Sequence, residues 1–166
     1  MIQALCELDS AVSTPRAPVA AQVLPLRVRE GMSVAPVTIP PSRSVQEAHT
    51  LMQQRKIRHL PVLQDGCLVG IVSDRDLRLV LPSPATSLAV WELRHLLEKL
   101  TVGEMMTCVV MTTAPDCFMT EAVGRMLGYR VGALPVVEDR RVVGILTRTD
   151  VLRAFRRISP ALSVTA

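Results

Sequence analysis

The sequence predicts a mixed α/β (α+β) fold built from two β-α-β-β-α repeats packed as a pseudo-twofold pair. Three observations predict it. The chain matches itself without a gap when residue 28 is laid over residue 102. Each copy holds one stretch of helical apolar spacing, then two β-type runs around a tight turn. Each copy closes on the same sequence, Gly-x-x-[Ser/Thr]-x-x-Asp, leading into a second helix.

The self-match runs through Val28/Val102, Glu30/Glu104, Met32/Met106, Pro41/Pro115, Ala48/Ala122 and Met52/Met126. It continues with Leu60-Pro61-Val62 over Leu134-Pro135-Val136 and Val69-Gly70-Ile71 over Val143-Gly144-Ile145, and ends at Asp76/Asp150. Self-similarity at one fixed spacing marks a duplicated structural unit. It divides the chain into a first repeat over 28–84, a connector over 85–100 and a second repeat over 101–160. An N-terminal arm over 1–27 and a tail over 161–166 lie outside the repeats.

The elements follow in order. The arm holds Pro15, Pro18 and Pro25 without periodicity and is expected to be disordered. Pro36–Ile39 is a short extended piece ended by Pro40 and Pro41. Ser44 and Glu47 have capping-box spacing, and Val45, Ala48, Leu51 and Met52 share one helical face behind them. His59–Leu63 is a strand. Asp65-Gly66 signals a hairpin, and Cys67–Ser73 is the returning strand. A helix then runs from Ser73 or Asp74 through Leu77 to Leu81, until Pro82 and Pro84 stop it. In the connector, Ser87 caps a helix carrying Leu88, Trp91, Leu96 and Leu100, with Trp91 packing it onto the core or a second subunit. The second repeat predicts a helix at Met119–Leu127, strands at Ala133–Val137 and Val142–Thr147, and a helix through Asp150 to Arg157. It departs twice. Phe118 replaces the capping Ser44, and Arg140 replaces Gly66, which implies a different hairpin turn.

Composition narrows the function. The chain has 166 residues, 49% hydrophobic and 20% charged, as in a globular protein. Only 2% are aromatic, too few for a platform that stacks single-stranded nucleic acid. The net charge of +4 suits an anionic ligand and ordinary solubility alike, and nucleic acid is not the expected partner. Cys6, Cys67, Cys108 and Cys117 form no metal-ligand spacing and read as reduced thiols. No run is long and apolar enough for a membrane span, and a signal peptide is not expected, so the cytoplasm is the expected compartment. A nucleophile elbow, a Walker loop and a Gly-x-Gly-x-x-Gly turn are all missing, so the expectation is no enzyme.

The chemistry concentrates in the repeated turn, Ser73-Asp74-Arg75-Asp76 and Thr147-Arg148-Thr149-Asp150. A hydroxyl sits at the strand end, with a carboxylate three residues later on the same side. The carboxylate can accept both hydroxyls of a ribose, and a helix start offers N–H groups to a phosphate. Plain helix capping uses the same residues, and the two uses are compatible.

The Leu-Pro-Val strand, the Val-Gly-Ile strand, the [Ser/Thr]-x-x-Asp turn and the duplication together resemble tandem CBS-domain (cystathionine-β-synthase domain) proteins. The resemblance covers roughly residues 28–157 and is to stand-alone bacterial pairs, including those of the acetoin-utilisation type. It implies a regulatory ligand sensor for AMP, ADP, ATP or S-adenosylmethionine, with no cofactor required. Asp76 and Asp150 would then hold ribose diols, and Ser73 and Thr147 would contact ribose or phosphate. Arg58 and His59, just before Leu-Pro-Val, would reach phosphates. The second repeat has Gly132 and Ala133 there, so Arg75 and Arg148 are the candidate substitutes. A homodimer, and an unidentified protein partner, are the expected associations. A ligand-independent oligomerisation scaffold is the main alternative. The other is a nucleic-acid-binding regulator using Arg148, Arg153, Arg156 and Arg157 on the last helix.

Overall fold

Ser44 shows how local rules place the first long helix. In the computed structural model, which describes residues 26–80 and 99–158, the Glu47 N–H donates to Ser44 Oγ at 3.2 Å. The Ser44 N–H in turn donates to Glu47 Oε2 at 2.9 Å. This reciprocal cap starts α1 (Val45–Arg55), and Lys56 ends it in the left-handed region at φ 54. The apolar stripe of α1 buries Val45, Ala48 and Met52.

Strands β2 (His59–Gln64) and β3 (Cys67–Ser73) form the expected antiparallel hairpin, with His59 opposite Ser73 and Gln64 opposite Cys67. Helix α2 (Asp74–Val80) follows directly. The second repeat repeats the series with α4 (Met119–Gly128), β4 (Ala133–Glu138), β5 (Arg141–Thr147) and α5 (Arg148–Ile158). Its strand register copies the first: Ala133 faces Thr147 and Glu138 faces Arg141. Both hairpins carry a register shift at the same place, after Val62 and after Val136. The extended piece before each first helix pairs in parallel with the following strand, Ile39 with Val62 and Thr113 with Val136.

Each repeat is completed by the segment that leads into the other. A 3-10 turn (Val28–Glu30) and the short strand β1 (Ser33–Val34) open the first repeat in sequence, yet β1 pairs antiparallel with β5 of the second. Val28 is fully buried in the core of Met119, Ala122, Met126, Leu134, Val136 and Leu146. In mirror fashion, α3 (Val102–Met105) leads into the second repeat but buries Val102 among Val45, Met52, Leu60, Val72 and Leu77 of the first. Thr107 then pairs with Ile71 as Ser33 pairs with Ile145. There are thus two cores, and each holds one borrowed valine.

The exchange explains the repeated Gly and Met. A Cβ on Gly144 would come 2.6 Å from Met32 Sδ and 3.1 Å from the Ser33 carbonyl oxygen. A Cβ on Gly70 would overlap Met106 in the same way, with Met106 Cγ 2.8 Å away. Each Val-Gly-Ile strand leaves out a side chain so that the other repeat's leading methionine can lie on it.

Two expectations meet the structure differently. The second hairpin is not of another type. Asp139 and Arg140 have φ 47 and 65, as Asp65 and Gly66 have 51 and 78. The matched strand register leaves a two-residue link, which forces Arg140 into a conformation that glycine adopts without cost. Phe118 does fail to cap α4 by a side-chain hydrogen bond. Instead the Arg27 guanidinium lies 5.1 Å from its ring centroid, and Glu121 accepts from the Cys117 thiol at 2.8 Å. The connector helix with Trp91, most of the arm and the tail lie outside the described residues.

Candidate functional site

Both repeated turns form the same hydrogen-bonded knot at a strand end. In the first, Ser73 donates to Asp76 Oδ2 through its backbone N–H at 3.0 Å and its hydroxyl at 2.6 Å. The Asp76 N–H donates back to Ser73 Oγ at 3.3 Å. In the second, Thr147 donates to Asp150 Oδ2 through its N–H at 2.9 Å and its hydroxyl at 2.6 Å, and the Asp150 N–H returns to Thr147 Oγ1 at 3.3 Å. Helix capping is therefore part of what these residues do. Capping occupies one carboxylate oxygen in each turn. Asp150 Oδ1 additionally receives longer bonds from Ser33 Oγ at 3.3 Å and Arg153 Nη1 at 3.4 Å. A carboxylate held this way, with its second oxygen only loosely engaged, can accept from a vicinal diol.

The two turns meet at the seam between the repeats. The Asp74 N–H donates to the Arg58 carbonyl at 2.9 Å, and the Arg148 N–H donates to the Gly132 carbonyl at 3.2 Å. These are the same bond under the repeat. His59 is half-buried here, beside Ser73 across the hairpin. A Cβ on Gly132 would come 2.9 Å from His59 Nε2. The imidazole of the first repeat therefore occupies the space that a side chain at 132 would need. Gly132 is not simply a missing cation, because His59 reaches across to it. Burial holds the His59 pKa below its usual value. Asp76 and Asp74 oppose that shift, while Arg148 and Arg58 add to it.

The arrangement brings His59, Asp76 and Arg148 within electrostatic reach of one another. Arg58 and Arg75 are exposed, and no described residue forms a side-chain hydrogen bond with either. The exposed Arg148 guanidinium makes one long bond, 3.5 Å to the Val131 carbonyl. Of the residues in this region, Ser33 carries no signal in the sequence, while Asp74 and Gly132 lie at named positions whose roles the sequence does not show. Ser33 arrives through the segment exchange, which no local pattern announces. Asp74 and Gly132 are legible only as positions where the two copies differ. A separate open groove of about 440 Å³ lies outside α1, beside Thr38, Arg43, Gln46, Thr50 and Gln54, and none of its lining residues belongs to either turn. Among the described residues no helix is long and apolar enough to cross a membrane, and no cluster of His, Cys, Asp and Glu could hold a metal ion.

Comparison with known proteins adds a family. The model of the CBS domain matches twice, over residues 27–83 and 102–157. Among solved structures, a putative acetoin utilization protein (AcuB) from Vibrio cholerae is 28% identical, with a TM-score of 0.67, covering 86% of this chain and 100% of that one. The CBS domain pair of protein MJ0100, solved with 5′-methylthioadenosine and S-adenosyl-L-methionine, is 31% identical, with a TM-score of 0.65, covering 78% and 95%. CBSX2 of Arabidopsis thaliana, solved with AMP, is 32% identical, with a TM-score of 0.65, covering 80% and 98%. Several curated relatives are enzymes, and the chain spans only 23% of the length of three of them.

Proposed function

The chain belongs to the CBS-domain family as a tandem pair, and on that premise we propose that it is a non-catalytic regulatory module for an adenosine-containing ligand. Asp76 and Asp150 accept the ribose hydroxyls, and Ser73 and Thr147 position those carboxylates. His59, Arg58 and Arg148 face the group carried at the ribose 5′ position, with Arg75 in support. The observation that carries this reading is the duplicated knot of hydroxyl and carboxylate beside a seam that holds titratable groups. The solved relatives with methylthioadenosine, S-adenosylmethionine and AMP support the ligand class. Signalling follows if the ligand prefers one arrangement of two such modules in a homodimer, since only differential affinity can shift an arrangement.

The test is thermal unfolding with AMP, ATP, S-adenosylmethionine and methylthioadenosine, for the wild type, Asp76→Asn and Asp150→Asn. Asn retains a capping oxygen and removes the charge. A ligand at 100 times its dissociation constant adds about 2.7 kcal/mol, which raises the midpoint by roughly 5–10 °C. The expected result is such a rise in the wild type and a smaller one in the variants. Absence of any shift at millimolar ligand overturns the reading.

The scaffold alternative has one observation in its favour. Leu127, Tyr129, Leu152 and Phe155 on and next to α4 and α5 are all more than half exposed. Association through that face would persist without ligand, and light scattering with and without AMP separates the two readings.

A further inference from the structure

Positions 74 and 148 are equivalent under the repeat, and their backbone N–H groups make the same bond. Their side chains carry opposite charge, Asp74 against Arg148. The Asp74 side chain is only 13% exposed. Its Oδ2 pairs with Arg78 Nε at 2.9 Å, while Oδ1 is buried with no hydrogen-bond partner among the described residues. A buried carboxylate oxygen without a donor is costly, and the cost is relieved by whatever brings a donor to it. Asp74 lies between Ser73 and Asp76 in one turn, two residues before the carboxylate assigned to the ribose. Arg148 reaches the same seam from the other repeat.

We infer that a ligand whose ribose sits on Asp76 carries its 5′ group past Asp74, and that Asp74 is thereby a specificity-determining residue. It favours adenosine ligands whose 5′ group is cationic or donates a hydrogen bond, and it disfavours those carrying phosphate. Arg148 does the reverse at the second turn. A phosphate brings no donor to Asp74 Oδ1 and adds a like charge, which Arg78 on Oδ2 offsets only in part. An ammonium or amine satisfies that oxygen and is attracted to it. Positions 74 and 148 thus bias the two turns in opposite directions, on top of the basic groups Arg58 and Arg75 that flank the first. This inference rests on the adenosine reading and deepens it.

Titration calorimetry with AMP, S-adenosylmethionine and the uncharged methylthioadenosine tests it, on the wild type, Asp74→Asn and Arg148→Gln. Asp74→Asn is expected to tighten AMP and weaken S-adenosylmethionine, changing their affinity ratio by about fivefold or more, as removal of a partly buried charge should. Methylthioadenosine should stay within about twofold. Arg148→Gln is expected to move the ratio the opposite way, and its exposed side chain makes it a variant that folds even if Asp74→Asn does not. An unchanged ratio in variants that still bind overturns the inference and leaves the adenosine reading standing. Failure of all three ligands to bind the wild type overturns both.

Discussion

Replacing Gly144 by Ala probes the segment exchange directly. The backbone at Gly144 is not in the left-handed region, so alanine can adopt it. The added methyl would press on Met32 Sδ at 2.6 Å and on the Ser33 carbonyl at 3.1 Å. Met32 can swing aside. Ser33 cannot move as easily, because β1 is paired there with β5. Overpacking of this kind costs about 1–3 kcal/mol. Losing a glycine restricts the unfolded chain and returns about 0.4–1 kcal/mol. The net loss is at most about 2.6 kcal/mol and about 1.3 kcal/mol at mid-range, or a midpoint roughly 3–5 °C lower at mid-range for a chain of this size. Thermal and urea unfolding of Gly144→Ala, Met32→Ala and the double variant completes the cycle. In the Met32→Ala background the cost should fall by about half, leaving the part due to Ser33. Gly124→Ala is the control: its site in α4 has no described atom outside the helix within 4 Å, so the variant should gain about 1 kcal/mol from helix propensity alone. Equal costs of Gly144→Ala in both backgrounds, or a stabilised single variant, would refute the packing argument.

Three further outcomes are expected. Arg140→Gly should raise the urea midpoint, gaining about 0.5–1 kcal/mol by releasing the residue at φ 65 from a conformation glycine adopts freely. Leu134→Ala, at a fully buried position, should lose about 2–5 kcal/mol, and Leu60→Ala should lose a similar amount because the two leucines hold equivalent places in the two cores. Stability should fall as pH drops below about 6.5, because the unfolded chain protonates at His59 there while burial keeps the folded imidazole neutral. The loss proceeds down through the depressed folded pKa, and His59→Gln should flatten it in urea midpoints taken at about pH 7.5, 6.5 and 5.5. Glu47 and Glu104, held below their ordinary value of 4.5 by Ser44 and Thr101, act only at lower pH.

The strands, the hairpins and the paired turns were legible because each rests on local rules repeated twice. Ser44 and Glu47 cap α1 as their spacing requires. Ser73 and Asp76 find each other within three residues, as do Thr147 and Asp150. What was not legible is non-local. Apolar spacing reports that Val28 and Val102 face a core, not which core, so the exchange of leading segments stayed hidden. The Arg140 turn departs from its residue preference because the strand register, which leaves a two-residue link, overrides it. Gly132 looked like a lost charge because the imidazole that occupies its space lies 73 positions earlier in the chain. Asp74 lay inside the turn already singled out, but its isolation is a property of burial, which sequence does not display.

The borrowed valines also set an order of events during synthesis. Val28 leaves the ribosome well before the core it fills, which needs Leu134, Val136 and Leu146, so that side chain waits uncovered for over a hundred residues. The other core suffers no such delay: Val102 follows soon after Leu60, Val72 and Leu77. The first-made half can therefore close while the second is still being translated, and the nascent chain carries Val28 as an open debt until nearly the last strand of the pair emerges.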